Sequence, residues 1–393
     1  MMKTTRTIKI KIGESKEFDQ LLEKFLGACN WTSQQVFETK VTNCVRLHKK
    51  FYSPLRKQFD LPSQLACSVF RHVTPAYKSG KSQNRWRECK FTRKVMPVVW
   101  ERDFSFAKTK GVCFWGKPTQ LLDHRLPPMK TWQDSKLKRV DGIWYLLLCY
   151  EIEIPEPKTN GCIVGVDSGI KRIFTATNSK NSKTFTFHGG ELNSRRCRIR
   201  KTKAKIQSVG TRSSKRLLQR LSGNEASITE HLLHCASKRL VSWAVENGAQ
   251  RIVMENLANI REASISKGKE MRSGVHRWPY SMGQFFVQYK AQAKGISFEL
   301  VSPKNTSRGC PCCGHVDKGN RNLLKFRCRR CDYRGDADRV ASINIRNRSV
   351  VTRHNLVTTG TCKCPESTEP FEITTGVSAK GLTGSCDATL VVV

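Results

Sequence analysis

The sequence predicts a multidomain α+β protein, a β domain interrupted by a helical insertion and followed by a second domain that mixes strands and helices. Three observations carry this. Apolar alternation at the N-terminus returns only after residue 95, with helical spacing between. Two later apolar strands each end in an acid, and a third acid opens a helix pattern. A pair of C-x₂-C knuckles lies just before that helix. With 393 residues the chain has room for two or three domains, at roughly 100–200 residues each.

The start, MMKTTRTIKIKIGES, sets Ile8, Ile10 and Ile12 against Lys and Thr, the period of a half-buried strand. It lacks the continuous apolar stretch of a signal peptide. Residues 14–46 place Phe18, Leu21, Leu22, Phe25, Leu26 and Cys29 at helical spacing, and breaks are expected near Pro54, Pro62 and Pro75. From Val95 to Pro155, runs such as VCFWG and IWYLLLCYEIEI alternate with Gly and Pro signals, predicting strands. IVGVDSGIKRIFTATNSKNSKTFTF, from Ile163, reads as a three-stranded antiparallel meander. A helix is expected from about Glu225 to Asn247, with Ile228, Leu232, Cys235 and Leu240 on one face, then a buried strand in RIVMENL, residues 251–257. The last stretch, Val350 to Val393, is rich in Thr and Gly and is expected to be a weakly ordered tail, in which Cys362, Cys364 and Cys386 are unexplained.

Lys and Arg number 70 against 32 Asp and Glu, a formal charge of +38. Such an excess points to a polyanionic partner. A membrane partner is not expected, because the longest apolar run, Trp144 to Tyr150, is too short to span a bilayer. The expected location is the cytoplasm or the nucleoid. Seventeen cysteines, an odd count in a long chain, fit free thiols plus a metal site better than a disulfide framework.

Cys310, Cys313, Cys328 and Cys331 form two knuckles separated by fourteen residues. Thiolates at i and i+3 reach one ion, and two such knuckles complete a tetrahedron, so one structural Zn²⁺ is predicted, with Cys312 as the spare thiol. The acids Asp167, Glu255 and Asp338 follow a strand, end a strand and begin a helix, the arrangement of an RNase H-like nuclease. Alone, each reads equally well as a turn former, a solvent-facing acid or a helix-start acid. Together they could hold two Mg²⁺ about 4 Å apart for phosphodiester hydrolysis. Residues 191–220 carry eleven Lys or Arg against one acid, a face suited to phosphate contact. Arg195, Arg196, Arg198 and Lys201 lie on it, and Lys304 and Arg308 are candidates of the same kind before the first knuckle.

GVDSGIKRIFTAT, RIVMENL, WPYSMGQFFVQYKAQAKGISFELVSPKNTSRGCPCCG and FRCRRCDYRGDADRVASINI, spanning about residues 160–347, resemble in order the TnpB proteins of insertion sequences, relatives of compact type V CRISPR effectors. The resemblance implies that Asp167, Glu255 and Asp338 are the catalytic acids. Asp338, Ala341 and Asn344 satisfy the family spacing, whereas Asp336 does not and is expected to be dispensable. A weaker match through KIKI, DLPSQLA at 60–66, AYKS at 76–79 and the Trp144–Tyr145 strand draws in Gln64 and Lys78 as nucleic-acid contacts.

The implied architecture is a split β-barrel wedge domain (1–12 and 95–158) holding a helical recognition domain (13–94). A RuvC-like nuclease domain (159–305 and 333–349) with an inserted zinc finger (306–332) and a tail (350–393) would follow. The implied function is RNA-guided cleavage of double-stranded DNA beside a short adjacent motif, with a guide RNA from the transposon end, in a bacterial or archaeal host. A compact type V CRISPR effector, an RNA-guided DNA-binding repressor and a guide-free resolvase or transposase are the alternatives.

Overall fold

The computed structural model describes residues 2–106, 111–122, 132–170, 172–258 and 278–354. The chain divides into two compact units, Lys3–Glu153 and a second beginning at Ile154. Most of the expected tail, residues 355–393, lies outside the described residues.

The first unit opens with strand β1 (Met2–Gly13), followed by helices α1 (Lys16–Thr39), α2 (Cys44–Phe59) and α3 (Ser63–Ser82). Ser15 caps α1 by accepting from the Phe18 amide at 3.2 Å, and Asn43 caps α2 by accepting from Val45 and Arg46. Pro54 and Pro75 do not break the chain as expected; each sits inside a helix. A mid-helix proline costs about 3 kcal/mol. In α2, burial of Leu47, Phe51 and Leu55, at about 1.5–3 kcal/mol each, outweighs that cost.

Strands β2 (Val95–Val98), β6 (Trp132–Val140) and β7 (Ile143–Ile154) join β1 in a four-stranded sheet of order β1-β7-β6-β2. Strands β3 (Phe104–Phe106), β4 (Gly111–Phe114) and β5 (Lys117–Gln120) form a separate antiparallel sheet. Trp144 is fully buried and donates its indole N–H to Asp19 at 2.9 Å, seating α1 on the larger sheet. The Tyr77 hydroxyl, also buried, bonds Ser33 and accepts from the Cys89 amide, tying the segment after α3 to α1.

In the second unit, β8 (Cys162–Asp167), β9 (Arg172–Asn178) and β10 (Thr184–His188) form the antiparallel meander read from the sequence. Strand β11 (Ala249–Glu255) runs parallel to β8, and β12 (Ser297–Val301) parallel to β11, giving the order β10-β9-β8-β11-β12. Among the unit's described residues are also helices α4 (Gly190–Val209), α5 (Arg212–Glu246), α6 (Tyr280–Gln292) and α7 (Ala337–His354). Between α6 and α7 lie the knuckles and a small sheet of β13 (Arg321–Asn322), β14 (Lys325–Arg327) and β15 (Arg334–Asp336).

Helix α5 begins thirteen residues before the expected start, capped by Thr211, and runs through Gly223 without a break. Glu225, read as the helix start, instead pairs with Lys203 and Arg196 of α4. The buried stripe is also offset from the expected one. Thr229, Leu233, Ala236, Leu240 and Ala244 are buried, with Ile228 and Leu232 half-buried beside them.

The sheet is covered on both faces. Leu233, Ala236 and Leu240 of α5 and Phe286 and Val287 of α6 pack with Val164, Val166, Ile252 and Met254. On the other face Val253, Val301 and Ile345 form a second apolar cluster under α7. There α7 crosses β8 at Gly165, where an added Cβ would lie 2.1 Å from the Ser342 carbonyl oxygen. Only glycine admits the helix this close. Thr177 and Ser342 meet beside it, hydroxyl to hydroxyl, at 3.1 Å.

Gly165→Ala is therefore expected to destabilise the protein by about 1–3 kcal/mol through overpacking. Gly223→Ala, whose Cβ would meet nothing within 4 Å, should stabilise by about 0.5–1 kcal/mol. Denaturant unfolding of both variants checks this; equal midpoints would refute the close crossing.

Candidate active site

The parallel register of β8 and β11 brings two of the three acids together. Val166 pairs with Met254, so Asp167 and Glu255 follow as the next residue on adjacent strands. Asp338 lies in the first turn of α7 and is 8% exposed. The helix that delivers it is the one seated on Gly165.

Burial is the main electrostatic feature of the cluster, with like-charge repulsion added at Asp167. Burial, then the like charges of Glu255 and Asp338, push the Asp167 carboxyl well above the usual carboxylate range, against the opposing pull of Arg321. Burial also raises Glu255, partly offset by a short hydrogen bond from the Thr306 hydroxyl and by Arg348 and Arg321. The Tyr280 phenol, at the start of α6, is pushed up to about 12 by burial and by the charges of Asp167 and Glu255. Three hard oxygen donors that repel one another suit divalent cations, whose charge would relieve the repulsion.

Several groups around the acids were not singled out by spacing. Thr306 is buried against Glu255, and Asn344 of α7 donates to the carbonyls of Thr306 and Gly309 at 2.7 and 2.8 Å. Arg321, between the knuckles, donates to Asp338 Oδ1 at 2.9 Å. Arg172, opening β9, bonds both oxygens of Asp336 at 2.7 Å and approaches Asp338 Oδ2 at 3.4 Å. These partners come from elements remote in sequence. Arg172 and Thr306 lie inside the matched stretches without being singled out there, and of these groups only Asn344 belongs to the named spacing.

The thiols of Cys310, Cys313, Cys328 and Cys331 lie within 4.8 Å of one another, the one such group of metal-binding donors among the described residues. Sulfur separations of 3.6 Å for Cys310–Cys331 and Cys313–Cys328 match the edge of about 3.8 Å that follows from four Zn–S bonds of about 2.3 Å. The group could hold a zinc ion. The described cysteines are all free thiols, so no disulfide competes for them.

Among the basic candidates, Arg195 and Arg196 lie on α4 with Arg198 and Lys201, and Arg195, Arg198 and Lys201 are exposed. Arg196 pairs with Glu225 and lies over the Trp278 ring. Lys304 and Arg308 are exposed in the loop before the first knuckle, and their backbone carbonyls accept from Arg348 and Asn320. In the first unit, Lys78 is exposed, whereas the Gln64 side chain accepts from Arg102 at 3.0 Å. No helix among the described residues is long and apolar enough to cross a membrane.

Two family models match: one described as a probable transposase over residues 147–261, the other as a Cas12f1-like TNB domain over residues 280–345. A TnpB-like protein of Methanocaldococcus jannaschii is 41% identical over 136 residues, 34% of this chain and 48% of its own length. A CRISPR-associated endodeoxyribonuclease Cas12f1 of Syntrophomonas palmitatica is 29% identical over 326 residues, 75% of this chain and 62% of its own. A second Cas12f1, of Sulfoacidibacillus thermotolerans, is 28% identical over 218 residues, 51% and 49% of the two chains. The matches thus span about half to three fifths of these relatives' own lengths. They bear out the resemblance read from the motifs: the chain is similar to TnpB-like proteins, with Asp167 and Glu255 inside the residues matched by the probable-transposase model and Asp338 and the four cysteines inside those matched by the Cas12f1-like TNB model.

Proposed function

We propose that this chain is an RNA-guided DNA endonuclease of the TnpB type, which uses a guide RNA to cut double-stranded DNA beside a short adjacent motif. The observation that carries the reading is the convergence of Asp167, Glu255 and Asp338 from two parallel strands and a helix. In this reading residues 159–305 and 333–349 form an RNase H-like RuvC domain. The central parallel pair β8 and β11, flanked by the β9–β10 meander, supports it. Residues 306–332 are the inserted zinc finger, and residues 1–12 and 95–158 the wedge around the helical residues 13–94.

The three carboxylates would hold two Mg²⁺, which supply Lewis-acid charge to the attacking and leaving oxygens of the phosphodiester. The chain's own contribution is to fix the oxygens: Thr306 orients Glu255, Arg321 holds Asp338, and Asp167 is half-buried at the end of β8. The four thiolates leave no open position, so their zinc is structural. The exposed cations of α4, with Lys304, Arg308 and Lys78, would contact phosphates, and base pairing with the guide would read sequence. Similarity to Cas12f1 proteins also favours a CRISPR-type effector. Sequencing the RNA that copurifies decides between a transposon-end guide and a repeat-derived one.

Asp167→Ala, Glu255→Ala and Asp338→Ala should each abolish Mg²⁺-dependent cleavage with guide-directed DNA binding retained, as read by cleavage and mobility-shift assays on one substrate. Full cutting by any of them would remove that acid from the site. Elemental analysis of fresh protein should find one zinc per chain. Cys310→Ser or Cys328→Ser should lose it together with folding yield, whereas Cys312→Ser should keep it; a zinc-free wild type would refute the assignment.

A further inference from the structure

Asp336 falls outside the spacing that defines the three acids, yet it makes more ordered contacts than any of them. It ends β15, two residues before Asp338. Its Oδ1 accepts from the backbone amides of Asp338 and Arg339, both at 3.1 Å, the hydrogen bonds of a helix N-cap. Both its oxygens also accept from one nitrogen of Arg172 at 2.7 Å. All three partners are largely shielded, with side-chain exposures of 19% for Arg172, 19% for Asp336 and 12% for Asp338.

The same Arg172 nitrogen is 3.4 Å from Asp338 Oδ2, whereas Arg321 already takes Asp338 Oδ1 at 2.9 Å. Charge-assisted N–H···O bonds prefer about 2.7–2.9 Å. By that measure the Arg172–Asp336 contact is close and the Arg172–Asp338 contact loose. Were Asp336 absent, Asp338 would be the nearest carboxylate left to this shielded guanidinium, with Asp167 acting on it more weakly. Both Asp338 oxygens would then be held by arginines, in competition with a cation.

We infer that Asp336 is a positioning residue that anchors Arg172 and so keeps one oxygen of Asp338 available to a divalent cation. The inference rests on the metal-nuclease reading of the site and adds to it a fourth acid that does not itself bind the metal. Asp336 acts twice on Asp338: the cap fixes where α7 starts, and the ion pair fixes where Arg172 points.

Mn²⁺ binding to the full-length protein with its copurified RNA, measured by electron paramagnetic resonance, tests this without relying on turnover. Asp336→Ala should weaken Mn²⁺ binding by about 10–100-fold, the usual effect of losing a group that orients a metal ligand. The Asp336→Asn/Arg172→Ala double variant, which keeps the capping oxygen, should recover most of that loss, because the competing guanidinium is gone. Asp336→Asn keeps the capping oxygen while losing the charge; it should fold as wild type yet still bind Mn²⁺ weakly. Wild-type affinity in Asp336→Asn, or a double variant as weak as Asp336→Asn, would overturn the inference and leave Asp336 a helix cap. Wild-type DNA cleavage is scored in parallel. A wild type that binds Mn²⁺ without cutting would thus count against the nuclease reading alone.

Discussion

Much of the second unit is organised around an unfavourable arrangement, acids brought together where burial disfavours their charge. Burial, and after it the like charges of Glu255 and Asp338, raise Asp167 well above its ordinary range. Such a cluster persists only if the surrounding fold over-determines it. The parallel register of β8 and β11 fixes two acids side by side, and the crossing of α7 at Gly165 fixes the third. A bulkier residue at 165 would lift the helix from the strand and carry Asp338 with it.

The four-cysteine insert contributes to the same end. It lies between α6 and α7, and its β13 strand carries Arg321 to Asp338 while the loop before its first knuckle carries Thr306 to Glu255. Asn344 ties that loop to α7 by two hydrogen bonds. The cysteine centre is thus coupled to the acids through three side chains. A metal that fixes the knuckles would also fix the geometry of the carboxylates, although no thiol touches them.

Local features of the fold were legible in the sequence because they depend on neighbours in the chain. The β8–β10 meander followed from turn residues between apolar runs, and β11 from an unbroken apolar run. The knuckles followed from i, i+3 spacing. Features that were not legible depend on distant partners. Pro54 and Pro75 stay inside helices; in α2 the buried apolar face compensates, and α5 extends back to Arg212 where Glu225 finds cations on α4. The acids could be named from their elements, but not the clamp of Arg172, Arg321 and Thr306 around them. Asp336, which spacing sets aside, turns out to be its most connected member.

The charge of the chain links this site to its proposed substrate. In the proposed function an excess of +38 would provide affinity for nucleic acid without sequence preference, and target choice would come from elsewhere. We attribute it to base pairing with a bound RNA. The most direct test is to replace the guide segment of that RNA and map the cut sites on DNA carrying the same flanking motif. RNA-guided recognition predicts that cleavage moves to the new complementary sequence with the protein unchanged; cutting that stays at the old site, or that persists after the RNA is stripped away, would contradict it.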